Sequence, residues 1–432
     1  MIQTRLIVAL ASVTGVLLAA SLANAQTQAC PASPIACGDT SQLPNPVFLA
    51  GSSAFEPILS LLALQVKAKQ GISIVYSPIS SCNGVSSIYN DASLGFGTAP
   101  LPLTATPHYY VQSPSDPTAS AYCSCVLSGN TYASIGVSDV SFESCQGVAK
   151  PASLGEWLGP EQAMLIVVPE ANLTTTALSA EQAGVIWGCG QTGNLQPFND
   201  NNAIQQRSSS SGTQIMVARN IGSSDGKGGY RTVPENALKG NPNASSAALF
   251  SSLLSVANPQ TAIGFIANDF YSTHRAQLNS VAFRGFGQKN AYYADSDSTT
   301  DDLFNVREGR YMIQGPLHFF ALLTATLDGG APGPNQATSL ILDWLTGAVP
   351  INPADPGSYV RTVSTNGDVP QCAMKVRLSK DGGYFVPYTP LTSCNCAFQR
   401  AKSLKIPSGT CAPCTSDASC TGGTRCQTGY CE

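Results

Sequence analysis

The sequence predicts an α/β protein with a largely parallel sheet, and three observations predict it. Short apolar runs recur, each followed by a small-polar turn and then by a helical pattern, which is the signature of strand–helix alternation. The chain has 432 residues, enough for two to three domains. Its composition is 43% hydrophobic but only 11% charged, so a large core is available beneath a polar, mostly uncharged surface. A net charge of −4 argues against nucleic acid as a partner, because binding a phosphate backbone needs dense Lys and Arg.

The elements follow in order. "PVFLAGSSAFEPILSLLALQVKAK" reads as a strand, a turn at Gly51-Ser52-Ser53, and an amphipathic helix from about Phe55. "GISIVYSPIS" is a second strand, and "SCNGVSSIYN" is a polar turn running into a helix. "LGFGTAPL" is a short apolar segment stopped at Pro100. Residues 102–160 are looser, rich in Pro, Ser and Cys, and read as a variable insertion near a domain crossover. "AMLIVVPE" is a buried strand, and "LSAEQAGVIWGCG" is a helix with Ser179 as N-cap and Gln182 three residues on. "AIQQR" is strand-like, and "GTQIMVARNIG" is a helix stopped by Gly222. "ASSAALFSSLLSVAN" is a helix and "TAIGFIANDFY" a strand. "RYMIQGPLHFFALLT" is a crossing strand, and "NQATSLILDWLTG" an amphipathic helix over the first domain. Residues 349–400 read as a β-rich extension punctuated by Pro and Gly.

The first 25 residues combine one Arg, an apolar run and Ala23-Asn24-Ala25, the pattern of a cleaved Sec signal peptide. No lipid-attachment cysteine follows, so the expected location is the periplasm, the medium or the cell surface. Fifteen cysteines in an exported chain imply disulfides. Five crowd between Cys411 and Cys431, which makes residues 401–432 a small stapled module. The odd total leaves at least one thiol outside any internal pair.

Three turns share one design: Gly51-Ser52-Ser53-Ala54-Phe55, Ser80-Ser81-Cys82-Asn83-Gly84, and Ser208 to Thr213. Each places small polar residues at the start of a helix. A helix N-terminus offers unpaired N–H groups and a partial positive charge, so it favours an anion. Arg207 beside the third turn adds a fork of donors suited to an oxyanion. In open α/β sheets, ligands gather at such carboxyl ends of strands.

The order of these segments resembles the phosphate-binding proteins of phosphate ABC transporters. "FLAGSSAFEPIL" is similar to that family's Gly-Ala-Thr-Phe-Pro loop, and "ISSCNGVSSI" to its Gly-Ser-Ser-Gly-Gly loop. "LGFGTAPL" resembles its Phe-Gly-Ala-Ser-Asp-Ala-Pro-Leu segment, "QRSSSSGTQ" its Arg-Arg-x-Asp-Gly-Ser-Gly-Thr segment, and "TAIGFIANDFY" its Gly-Ala-Ile-Gly-Tyr strand. The resemblance covers roughly residues 46–346. It implies a two-lobed, type 2 periplasmic-binding fold, with lobe 1 at 46–101 and 265–348 and lobe 2 at 102–264. It also implies an oxyanion site made of Ser53, Ala54, Phe55, Ser81, Cys82, Thr98, Arg207, Ser211, Gly212 and Thr213. Thr98 and Ser209 stand where the family carries aspartates. A buried carboxylate accepts a proton from phosphate and repels sulfate, so their loss opens the site to sulfate or an organic phosphate as well. Cys82 has a second fate, a disulfide that would remove it from the site.

Nothing calls for catalysis, a cofactor or a metal. No Gly-x-Ser-x-Gly elbow occurs, and His108, His274 and His318 lie in unrelated segments. The acidic run Asp295 to Asp302 lacks EF-hand spacing. Capture of a small oxyanion, phosphate first, for an ABC permease is the expected function. A secreted or cell-surface interaction protein with a vestigial cleft is the alternative, and a phosphatase-like activity on the same scaffold is a third.

Overall fold

A computed structural model describes residues 30–89, 102–103, 106–116, 119–224, 230–231, 237–323, 336–406 and 409–432. The leader at 1–25 and the segment holding Thr98 lie outside these residues.

The elements that place the site are, in chain order, β1 (Val47–Gly51), α1 (Glu56–Gln70), β2 (Ile74–Ser77), α2 (Ser81–Ile88), β3 (His108–Gln112), β4 (Ser120–Val126), β5 (Ile135–Ser138) and α3 (Phe142–Gln146). There follow β6 (Leu154–Pro169), α4 (Ala180–Cys189), β7 (Gln205–Arg207), α5 (Gly212–Asn220), α6 (Ser246–Leu254), β8 (Gly264–Ala267) and α7 (Asn268–Ser272). Last come β9 (Gln314–Leu322), α8 (Gln336–Thr346), α9 (Ser358–Thr365) and α10 (Asn395–Ala401).

A 10-stranded sheet forms the spine among the described residues, with β4, β3, β2, β1, β5, β9, β6 and β8 as consecutive neighbours. The sheet is mixed rather than largely parallel. β1 pairs in parallel with β2 and β5, but β3, β4, β9, β6 and β8 join by antiparallel ladders. The reason is local. β3 and β4 are close in the chain and fold back as neighbours, and the crossing strands β6 and β9 run in opposite senses.

β6 is 16 residues long and serves both halves. Its first part, Leu154 to Ala163, pairs with β9, and Met164 to Val167 pair with β8. Residues 163–168 are buried without a break, as expected of a strand covered on both faces. β3, β4 and β5 extend the sheet of β1 and β2, because their alternating apolar residues bury against the same core.

The helices keep their sequence logic. α1 ends on Gly71 in the left-handed region, and α4 opens with the full Ser179–Gln182 capping box. Trp187 is fully buried and its indole N–H donates to the carbonyl of Gln205 at 3.1 Å, which anchors α4 beneath β7. The acidic run is closed by Arg275, which bridges Asp295 at 2.9 Å and Asp301 at 3.0 Å.

Residues 349–400 are not β-rich. They form α9, α10 and one short antiparallel pair, Val376–Leu378 with Phe385–Pro387. Pro and Gly there mark turns between helices, not strand ends. α9 docks on α1, where Gln65 Nε2 donates to Thr362 Oγ1 at 2.8 Å. The cysteines pair as 30–123, 37–125, 82–145, 372–394, 396–411, 414–426 and 420–431. Cys189 remains free and exposed. The C-terminal module is therefore stapled to the extension through Cys396–Cys411, and the Glu432 carboxylate accepts from the amides of Asn395 at 3.0 Å and Cys396 at 2.8 Å. The sulfurs of Cys414, Cys420 and Cys431 lie within 4.8 Å of one another, but each is in a disulfide and offers no thiolate to a metal. No helix among the described residues is long and apolar enough to cross a membrane.

Candidate functional site

Three helix starts converge at the carboxyl ends of β1, β5 and β7. Their approach depends on the absence of side chains. A Cβ on Gly51 would lie 1.8 Å from the Val137 carbonyl oxygen, and one on Gly84 would lie 2.5 Å from Gly51 Cα. α2 can therefore sit directly on β1 and β5. Ser80, which precedes α2, is held at a φ of 84°, a region that L-residues enter at a cost. Its amide donates to the Gly51 carbonyl at 2.9 Å, and its hydroxyl donates to Ser210 Oγ at 3.0 Å.

The α5 start meets the α2 start. The Gly212 amide donates to Ser81 Oγ at 3.1 Å, and the Cys82 amide donates to the Ser210 carbonyl at 3.1 Å. The residues preceding α1, α2 and α5 make no side-chain cap bond to their own helix; the Gly212 and Cys82 amides are instead taken by Ser81 and Ser210.

Arg207 ends β7 and is 3% exposed. Its Nη1 donates to Ser246 Oγ at 2.9 Å; Nη2 donates to the Ala244 carbonyl at 3.3 Å and to Ser53 Oγ at 3.5 Å. Nε is buried and has no partner. Burial pulls the guanidinium down to about 10, so it stays charged at neutral pH, helped by Asp139 and Asp269.

Asp139 is the residue that the sequence reading missed. It follows β5 directly and is 2% exposed. Its Oδ2 accepts from Thr213 Oγ1 at 3.4 Å, and its Oδ1 is buried without a partner. Burial raises its pKa, partly offset by hydrogen bonds from Ser52, Ser81 and Thr213 and by the charge of Arg207. The segment "IGVSDVSF" has the same strand, small-polar turn and helix pattern as the three anion loops. It lay inside the stretch read as a loose insertion.

The remaining expected residues divide. Ser81, Arg207, Gly212 and Thr213 meet around Asp139, with Ser211 buried at the N-cap of α5. Ser53 touches Arg207. The Ala54 amide already donates to Ser52 Oγ at 3.1 Å, and Phe55 packs its ring edge-on to Phe319 at 5.5 Å. Cys82 is not an anion ligand: its sulfur is bonded to Cys145 and its amide to Ser210, so neither group is available. Thr98 lies outside the described residues. Ser209 is exposed and does not steady Arg207; the carboxylates acting on that guanidinium are Asp139 and Asp269.

Behind the site, Asp269 at the start of α7 and Asp368 after α9 are both buried, and all four of their carboxylate oxygens lack partners. Burial raises both well above the ordinary carboxylate range, and their mutual repulsion adds to it.

No family model and no curated protein matches the sequence. Solved structures do match in outline. One is a Clostridium perfringens protein described as a phosphate ABC transporter substrate-binding protein with bound phosphate; identity is 14%, the TM-score is 0.48, and the match covers 76% of this chain and 99% of that one. Another is an ABC-type phosphate transport receptor from Vibrio cholerae, at 15% identity and a TM-score of 0.43, covering 75% and 99%. A human phosphate-binding apolipoprotein matches at 13% identity and a TM-score of 0.43, covering 75% and 90%.

Proposed function

We propose that this chain is an exported solute-binding protein that captures a small oxyanion, phosphate foremost, between its two halves for an ABC-type permease. One observation carries the reading. Arg207 Nε, a charged donor, and Asp139 Oδ1, an acceptor, are both buried and, among the described residues, both unpartnered beside the starts of α2 and α5. Orphaned buried polar groups cost about 1–3 kcal/mol each, more when charged, so the pair marks a missing partner. A protonated tetrahedral oxyanion satisfies both: it accepts from the guanidinium and donates its proton to the carboxylate.

The same pair supplies selectivity. Fully ionised sulfate has no proton for Asp139 and would face its lone pairs. The carboxylate filter that seemed lost at Thr98 is thus available from Asp139, so phosphate stands ahead of sulfate. Binding needs no covalent step; closure of the halves around the anion suffices. The expected leader peptide supports export. Isothermal titration with phosphate, sulfate and arsenate tests the reading: micromolar or tighter phosphate binding supports it, and no heat with any of the three refutes it.

A further inference from the structure

A pocket of 330 Å³ adjoins the anion donors, which lies within the range of about 300–1,000 Å³ typical of small-molecule sites. Its wall includes Ser53, Glu56, Tyr122, Ser246 and Phe270. Ser53 and Ser246 are the two hydroxyls that accept from Arg207. A single layer of hydroxyls therefore separates the pocket from the guanidinium.

The far wall is not built for an inorganic ion. Tyr122 is 48% exposed. It leans edge-on against Tyr110 at 5.5 Å and His108 at 5.4 Å, which holds the ring in place. Phe270 is stacked on His274 with ring centroids 4.1 Å apart. Glu56 is engaged by His108 and by the Tyr110 hydroxyl at 3.4 Å, so its charge is partly spoken for. Held aromatic rings beside an anion site provide apolar area at low entropic cost, and they suit an organic group.

Resting on the oxyanion reading above, we propose that the site takes a small organic phosphate monoester. Its phosphoryl oxygens meet Arg207, Thr213 and Asp139, and its ester-linked group lies between Tyr122 and Phe270. The monoanion of a monoester keeps three non-bridging oxygens, one of them carrying the proton that Asp139 needs, so the titrations are made below its second pKa of about 6, and its bridging oxygen faces the Ser53 and Ser246 side of the pocket. No bond is made or broken.

Titration of the full chain with inorganic phosphate and with phenyl phosphate tests this. Phenyl phosphate is expected to bind at least as tightly as inorganic phosphate. Tyr122→Ala should weaken phenyl phosphate at least tenfold and leave inorganic phosphate within twofold; Phe270→Ala serves as the second variant should the first fail to fold. Phenyl phosphate binding more weakly than inorganic phosphate overturns the proposal, as does a loss in the variants that is equal for both ligands. If neither ligand binds the wild type, the oxyanion reading itself has failed.

Discussion

The Gly212 amide donates to the Ser81 hydroxyl at 3.1 Å, tying the start of α5 to the start of α2. A Cβ at position 212 would stand 2.6 Å from that hydroxyl oxygen and 2.8 Å from Asp139 Cβ. Gly212→Ala must therefore push the two helix starts apart. The far-ultraviolet circular dichroism should stay that of the wild type, while calorimetry should show phosphate binding at least tenfold weaker.

Arg207 contributes a fixed, buried positive charge to the proposed site. Loss of one member of a buried charged hydrogen-bond pair costs about 2–5 kcal/mol. Arg207→Ala is expected to raise the phosphate Kd at least a hundredfold. Arg207→Lys keeps the charge but loses the fork, and its Kd should fall between the two. Titration of both variants against the wild type checks the order; equal affinity of all three would remove Arg207 from the site.

On the proposed reading, Asp139 sets the preference for a protonated anion. In Asp139→Asn the side chain gains an amide donor that welcomes sulfate. The ratio of phosphate to sulfate affinity is expected to drop at least tenfold, mainly through better sulfate binding. Competition titration at constant pH reads that ratio, and an unchanged ratio would place the selectivity elsewhere.

Glu161 sits on β6 beneath the extension, 2% exposed, and burial pushes it from 4.5 up to about 7. A carboxyl with a raised folded pKa stabilises the fold fully below its unfolded pKa, and that stability is lost as pH rises through the folded pKa. The wild type should thus lose stability from about pH 4.5 to about pH 7 on account of this group. Glu161→Gln removes that slope and should gain on the order of 3 kcal/mol at pH 8, the size a shift of this order implies. Denaturant unfolding at pH 4.5 and pH 8 measures the difference.

The Cys82–Cys145 bridge ties α2 to α3 across 63 residues of chain. Replacing both cysteines with serine is expected to cost about 2–4 kcal/mol of stability. Because α2 carries Ser81 into the site, phosphate affinity should fall several-fold as well. Thermal unfolding and titration of the double variant check the two effects separately.

Much of the site was legible because anion binding relies on local chemistry. Ser81, Arg207, Gly212 and Thr213 stand out by residue type and by their place before a helix; in the structure Ser81 accepts from the Gly212 amide, and Thr213 donates to Asp139, which feels the charge of Arg207. Asp139 was not legible, because a single aspartate in a Pro- and Cys-rich stretch carries no periodic signal. Its role depends on β5 pairing beside β1, a contact between residues more than 80 apart in the chain. The misread extension has a similar origin. Residues 349–400 carry many turn residues, and whether turns join strands or helices is decided by what they pack on, here α9 against α1.

The sequence by itself determined the alternation of strands and helices, the small-polar turns with their adjacent arginine, and a cysteine count that leaves one thiol over. These follow from short-range periodicity, turn chemistry and counting. Only the tertiary structure decided that the sheet is mixed, that Cys82 belongs to Cys145, and that Asp139 is buried in the field of Arg207. Each of those depends on which distant segments share a buried surface, and burial is what leaves an ordinary carboxylate and guanidinium with atoms that lack partners among the described residues.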